Sequence, residues 1–259
     1  MSENSMAGKT AIVTGGGSGI GKSISWLFAK QGAEVIILDT DEAAAQDSAA
    51  NIKKNNGTAM VLQCDVSNYD MVTKSVVEII ADFKKIDILV NNAGIAHVGD
   101  LLHTSETDLD RLYKVNVKGV YNCMHATIPH MIENNSGVIL NLASIASKIG
   151  LKDRFAYSMT KGAVLTMTLS VAKDYIDENI RCNCICPARV HTPFVDSFIK
   201  ENYPGKEAEM YRYLADYQPI GRMGTPDEIA GLAAFLCSDA AAFITGCAYD
   251  IDGGVINLR

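Results

Sequence analysis

Thr10-Ala-Ile-Val13, then Thr14-Gly-Gly-Gly-Ser-Gly-Ile-Gly21, then the amphipathic run from Lys22 to Lys30 is the stretch whose reading decides the fold. A short apolar run, a glycine-rich turn and a helical periodicity predict strand, loop and helix in succession. Glycines let the backbone turn sharply and approach phosphate oxygens, and the helix start offers free N–H groups and a positive dipole end. Gly15, Ser18, Gly19, Ile20 and Gly21 are therefore candidate contacts for a phosphate-bearing cofactor. Two ligands compete for that loop. Gly16 through Ser23 matches the nucleotide-triphosphate pattern G-x-x-x-x-G-K-[ST] at every fixed position, and the strict dinucleotide pattern G-x-G-x-x-G finds no register.

Working outward, the next strand-like run, Glu34–Leu38, leads into Asp39, eighteen residues after Gly21. A carboxylate there can accept hydrogen bonds from the hydroxyls of an adenosine ribose, and its charge repels a 2′-phosphate. No Lys or Arg follows until Lys53. Asp39 thus points to a dinucleotide, and to NAD rather than NADP. Lys22 and Ser23 then become ordinary residues of a first helical turn.

The same alternation continues to the end of the chain. Strand-like runs fall at Thr10–Val13, Glu34–Leu38, Ala59–Gln63, Ile86–Val90, Val138–Leu142, Ile180–Ile185 and Cys247–Asp250, with helical segments such as Gly19–Gln31, Tyr69–Phe83 and Phe155–Ile176 between them. Continuous apolar runs such as VIIL and ILV suit parallel strands covered on both faces. The expected fold is α/β: one Rossmann-type, doubly wound domain over residues 1–259. His191–Thr225 breaks the rhythm and holds three of the six prolines. It reads as a substrate-binding insertion over the binding face, with a surface helical hairpin that merely packs as the alternative.

Composition excludes several classes. Across 259 residues, 48% are hydrophobic and 20% charged, which is globular rather than disordered. A net charge of −7 gives no footprint for nucleic acid or an anionic membrane surface. No run approaches the roughly 18 apolar residues of a membrane span. MSENSMAGK lacks the basic flank and apolar stretch of a signal peptide, and seven cysteines suit a reducing compartment, so a cytoplasmic protein is expected.

From the glycine loop onward the chain resembles the short-chain dehydrogenase/reductase family. The resemblance is carried by Thr14-Gly-x-x-x-Gly-x-Gly21, Asp65-Val66, Asn91-Asn92-Ala93-Gly94, Asn116, Ser144, Tyr157-x-x-x-Lys161, Pro187 with Thr192, and Asp252-Gly253-Gly254. Each mark alone is weak; all of them in order along alternating strands and helices are specific. The resemblance implies a seven-stranded parallel sheet, a nicotinamide cofactor and a homotetramer paired through Leu109–Glu133, Phe155–Ile176 and the C-terminal strands. It also implies that Asn116, Ser144, Tyr157 and Lys161 are catalytic. It further implies that Asp65, Val66, Asn92, Ala93, Gly94, Pro187, Val190 and Thr192 line the cofactor together with Tyr157 and Lys161.

Chemistry agrees with these roles. Tyr157 and Lys161 are four apart on a helix and share a face. An ammonium beside a phenol stabilises the phenolate, which can then exchange a proton with a substrate oxygen. Ser144 can polarise that oxygen. The family's Pro-Gly after the sixth strand reads Pro187-Ala188 here, which adds a methyl beside the nicotinamide position.

Cys182, Cys184 and Cys186 alternate along a strand and read as small core residues, not metal ligands; no metal is expected. Candidate substrate contacts beside Ser144 and Tyr157 are Lys148, Arg154, Arg189 and His191. This basic, hydroxyl-rich surround suits a sugar, polyol or deoxy sugar acid. An acyl-carrier-protein reductase, a nucleotide triphosphatase and a catalytically silent dinucleotide-binding regulator are the alternatives.

Overall fold

The computed structural model describes residues 5–258 and bears out the α/β expectation. Seven parallel strands are ordered β3-β2-β1-β4-β5-β6-β7. They are β1 (Thr10–Thr14), β2 (Glu34–Asp39), β3 (Thr58–Gln63), β4 (Ile88–Asn91), β5 (Gly137–Leu142), β6 (Ile180–Pro187) and β7 (Ala248–Ile251). The winding reverses between β1 and β4, where the connections depart to opposite sides and leave a crevice at the strands' C-terminal ends.

The strand period of two distributes the apolar side chains to both faces. Ala11, Val13, Val35 and Ile37 pack against α1 (Gly19–Lys30), α2 (Glu42–Lys54) and α9 (Pro226–Cys237). Ile12, Ile36, Leu38 and Leu89 pack on the other side against α3 (Tyr69–Phe83), α5 (Gly119–Glu133) and α6 (Phe155–Asp174). Register keeps the layers aligned: Ile12 sits beside both Ile36 and Leu89. Each fully buried Val, Leu or Ile contributes about 1.5–3 kcal/mol, so this two-sided burial holds the sheet that presents the crevice.

Helix starts are set by local chemistry. Asn68 and Asp41 accept hydrogen bonds from Met71 and Ala44 N–H, and Thr225 with Glu228 forms a capping box before α9. Boundaries shift by a residue or two: β4 begins at Ile88, β7 at Ala248, and α6 ends at Asp174, before a 3-10 turn at Ile176–Glu178. The segment 109–133 is not one α-helix. After α4 (Glu106–Leu112) comes a π-helical turn, Tyr113–Lys118, and only then α5.

Residues 191–225 form two helices, α7 (Pro193–Asn202) and α8 (Glu207–Asp216), around a small core of Ile199, Leu214 and Met223. Both ends of the segment are tied to the sheet. Val190 bridges Gly224, and His191 N–H donates to Gly224 O at 2.9 Å. The buried Gln218 donates through Nε2 to Leu214 O and Arg222 O, while its Oε1 accepts Arg189 N–H at 3.2 Å.

Candidate active site

The crevice holds a cavity of about 560 Å³ running from the end of β2 across the β1–α1 loop to the ends of β5 and β6. Gly15, Ser18, Gly19 and Ile20 line it. Ser18 makes no side-chain cap and no acidic residue occupies the first turn of α1, so neither the cap nor the first turn supplies a side chain to the N–H groups at that helix start. Such a terminus suits an anion. Gly21 is buried beneath the loop, where a Cβ would stand 2.1 Å from Gly15 O; its part is close approach rather than contact with the cavity. Lys22 is exposed and lies outside the lining, which removes the side chain that a triphosphate loop needs.

At the far rim Asp39 lines the cavity, its Oδ2 accepting Gly17 N–H at 2.9 Å and its Oδ1 accepting Asp41 N–H at 3.0 Å. These bonds fix the carboxylate at the end of β2. Asp65 and Val66 form the adjoining wall. The floor is braced by Thr14, whose Oγ1 accepts from Asn92 N and Ala93 N, both at 3.0 Å. Asn92 Nδ2 returns bonds to Thr14 O at 3.0 Å and Gly15 O at 3.1 Å. Sequence reading missed Thr14 as a structural hub; its place directly before the glycines was the available signal.

The inner end of the cavity gathers Ser144, Tyr157 and Lys161. Ser144 sits just beyond β5, its Oγ accepting Ala146 N–H at 3.2 Å. Tyr157 and Lys161 share a face of α6, with Nζ 5.9 Å from the phenol ring centroid. Lys161 is buried and donates to Leu142 O at 2.6 Å. An ammonium has three donors, so two remain to direct into the cavity. Asn116, also buried, lies behind Gly94: its Oδ1 accepts Ile95 N–H at 2.8 Å, and its Nδ2 donates to Ile95 O at 2.9 Å and Thr160 Oγ1 at 3.1 Å. The π-helical turn carries Asn116 inward, a distortion often found at functional sites. Thr160, unremarked in the sequence, couples Asn116 to the turn of α6 that bears Tyr157 and Lys161.

Pro187, Arg189, Val190 and Thr192 line the wall beyond β6, whereas Arg154, the residue before α6, lies outside the lining with its guanidinium over the Phe198 ring. Two further expected substrate contacts also lie elsewhere. Lys148 pairs with Asp250 at 2.6 Å and donates to Ala248 O at 3.0 Å, on the edge strand β7. His191 turns outward to Asp196, with Nε2–Oδ1 at 2.8 Å, and meets the edge of Tyr211. Both are absent from the cavity lining because a local carboxylate claims each one. Cys182, Cys184 and Cys186 are fully buried; a hydrogen bond from Cys184 holds the Cys186 thiol below its ordinary range. Among the described residues, no group of three or more His, Cys, Asp or Glu is placed to hold a metal.

The family model for enoyl-(acyl carrier protein) reductase matches residues 15–256. The chain belongs to the short-chain dehydrogenase/reductase family. It is an oxidoreductase that acts between alcohol and ketone, and the family's cofactor is NAD(P). It is 40% identical over 248 residues to dehydrogenase/reductase SDR family member 6 of Aquarana catesbeiana, covering 95% of this chain and 97% of the relative. It is 36% identical over 253 residues to 2-keto-3-deoxy-L-fuconate dehydrogenase of Xanthomonas campestris pv. campestris, covering 97% and 81%. Among solved structures, L-sorbose reductase from Gluconobacter frateurii, complexed with NADPH and L-sorbose, superimposes with a TM-score of 0.94 at 28% identity, covering 98% of this chain and 99% of that one. The oxidoreductase has the residues to hold such a cofactor: an uncapped helix start over a glycine loop, a fixed carboxylate at the rim and a buried lysine at the inner end.

Proposed function

We propose that this oxidoreductase uses NAD+ to oxidise a secondary hydroxyl on a sugar, polyol or deoxy sugar acid. The observation that carries the reading is the shared cavity: Asp39 stands at one end, and Ser144, Tyr157 and Lys161 stand at the other. A nicotinamide cofactor held in this crevice would supply the hydride acceptor. Tyr157 takes the hydroxyl proton, Ser144 Oγ–H steadies the same oxygen, and Lys161 stabilises the phenolate. Asn116 holds the turn that aligns them through Thr160. Gly15, Ser18, Gly19 and Ile20 bind the pyrophosphate, Asp65 and Val66 the adenine side, and Asn92–Gly94 with Pro187, Val190 and Thr192 the nicotinamide half. Residues 191–225 form the substrate-binding insertion.

The Arg189 side chain in the cavity wall and the similarity to a deoxy sugar acid dehydrogenase support this substrate class. The test is NADH production across aldoses, polyols, aldonates and 2-keto-3-deoxy acids. Turnover of a sugar-derived compound is expected. NADH-dependent reduction of β-ketoacyl thioesters, with no sugar-derived compound turned over, overturns the reading in favour of an acyl-carrier-protein reductase.

Cofactor preference has its own test. Asp39→Ala removes a charge-assisted acceptor worth about 1.5–3 kcal/mol, so NAD+ affinity is expected to fall roughly 10- to 100-fold. Discrimination against NADP+ should relax at the same time, because the repelling charge is gone. Equal use of NAD+ and NADP+ by the wild type would contradict this role for Asp39.

The seven cysteines, six of them buried and all free, support placing the enzyme in a reducing cytoplasm. Tyr113, Tyr121, Met159, Leu169 and Ile176 are apolar side chains exposed around α5 and α6, and Phe243 is fully exposed after α9. Such surface supports a homotetramer. Light scattering at micromolar concentration should give the mass of four chains; a monomer mass sinks the proposal.

A further inference from the structure

Among the described residues, arginines differ in how far the fold itself satisfies them. Arg181 donates to three carbonyls, Ile244 O, Leu236 O and Ser238 O, at 3.0–3.2 Å. Arg222 grips Glu228 through both Nη atoms, at 2.9 and 2.6 Å. These guanidiniums are satisfied from within the fold.

Arg154 and Arg189 are not. Arg189 lines the cavity beside Tyr157, and its Nε is buried with no hydrogen-bond partner. Its backbone is nonetheless pinned, its N–H by Gln218 and its carbonyl by Gly224 N–H at 2.9 Å. Arg154 is three residues before Tyr157, and Nη1 spends one proton on Asp153 O at 3.1 Å. Among the described residues, no carboxylate lies within ion-pair reach (4 Å) of either guanidinium, in a chain of thirty Asp and Glu. Burial, and then the charge of Arg189, push the Arg154 guanidinium below its ordinary range. Arg189 in the cavity wall and Arg154 just outside the lining are two cations without an ion pair, and an anion between them relieves both.

Aromatic rings fix where the two heads sit. Arg154 lies over Phe198, 5.8 Å from its centroid, and Arg189 over Tyr217 at 5.7 Å. Phe198 belongs to α7 and Tyr217 follows α8, so each helix of the 191–225 segment supplies one wall. Cation–π contact holds a guanidinium in place while leaving its in-plane N–H donors free.

We infer that Arg154 and Arg189 form a two-guanidinium clamp for a carboxylate carried by the substrate, so that the substrate is a hydroxy acid rather than a neutral polyol. This rests on the proposed alcohol oxidation at Tyr157 and narrows its substrate class. A planar carboxylate matches the fork geometry of a guanidinium, and engagement of both arginines draws the two helices against the bound acid.

The test pairs C3–C6 aldonates and 2-keto-3-deoxyaldonates with alditols of the same carbon number, and adds the sugar phosphates, in NADH-production assays. The acid should exceed its alditol in kcat/KM by about 100-fold, the loss of one charge-assisted pair. Arg154→Gln and Arg189→Gln should each collapse that acid-to-alditol ratio while NADH affinity stays unchanged. A purely structural role would lower acid and alditol together and leave the ratio intact, which overturns the clamp. Preference for alditols or for phosphate esters overturns it as well. If no alcohol is oxidised, calorimetric titration of the NADH complex with the same acids and alditols separates the two proposals. Acid-selective heat that is lost in the Arg variants upholds the clamp and sinks the reaction; no acid-selective heat sinks the clamp.

Discussion

Replacing Tyr157 by Phe is expected to lower turnover by about 1,000-fold or more, within the range that positioned proton transfer contributes, while NADH affinity stays within about twofold. The ring remains, and with it the surface that faces Lys161 Nζ at 5.9 Å. What disappears is the single O–H that reaches the reacting oxygen from this face of α6. Ser144 does not substitute for it, because its hydroxyl is held on both sides, accepting Ala146 N–H at 3.2 Å and donating to Pro187 O at 3.5 Å. Steady-state NADH production and an NADH fluorescence titration on the same preparation measure the two halves of the prediction. Turnover within tenfold of wild type would assign the proton to another group. Loss of NADH binding would mean that the phenol serves the cofactor rather than the substrate.

How far the sequence discloses such a site depends on the range of the interactions that build it. The loop Thr14–Gly21 and the pair Tyr157 and Lys161 are legible because a few consecutive residues, or one helical turn, set their geometry. The sheet is equally legible: VIIL and ILV are parallel strands covered on both faces, and their apolar runs say so. Asn116 was found through resemblance, but the π-helical turn that seats it was not. A continuous periodicity from Leu109 to Glu133 carries no mark of one extra residue in a turn. Lys148 and His191 illustrate the other limit. Proximity in sequence to Ser144 and Pro187 suggested substrate contact, yet Asp250, 102 residues away, captures the lysine, and Asp196 captures the imidazole on the outer side of α7. Competition for a charged side chain is decided in three dimensions. The same holds in reverse for Arg154 and Arg189, whose guanidiniums the fold leaves only partly satisfied, a lack that no pattern records.

The glycine loop offers the sharpest separation of what a motif says from what the packing says. In the pattern, Gly19 and Gly21 are equivalent fixed positions; in the structure they do different things. Gly19 has φ +51, and a Cβ there would meet only the Thr192 side chain, at 3.4 Å. Gly19→Ala therefore carries chiefly the left-handed backbone penalty, about 1–2 kcal/mol. Gly21 has ordinary helical backbone, but a Cβ would stand 2.1 Å from Gly15 O and 2.5 Å from Asn92 Nδ2. Neither neighbour can yield cheaply. Gly15 O belongs to the loop backbone, and Asn92 Nδ2 bonds both Thr14 O and Gly15 O. Gly21→Ala is thus expected to push the loop off α1, break the Asn92 brace and cost about 3 kcal/mol or more, at the upper end of overpacking penalties. For a chain of this size that is a fall in Tm of roughly 6–12 °C. NADH affinity should drop at least about 100-fold, because the N–H groups facing the cavity lose their alignment. Thermal melts and NADH titrations of the two variants side by side decide the matter. If Gly19→Ala proves as damaging to Tm as Gly21→Ala, backbone conformation rather than close approach governs this loop, and the Asn92 brace is incidental.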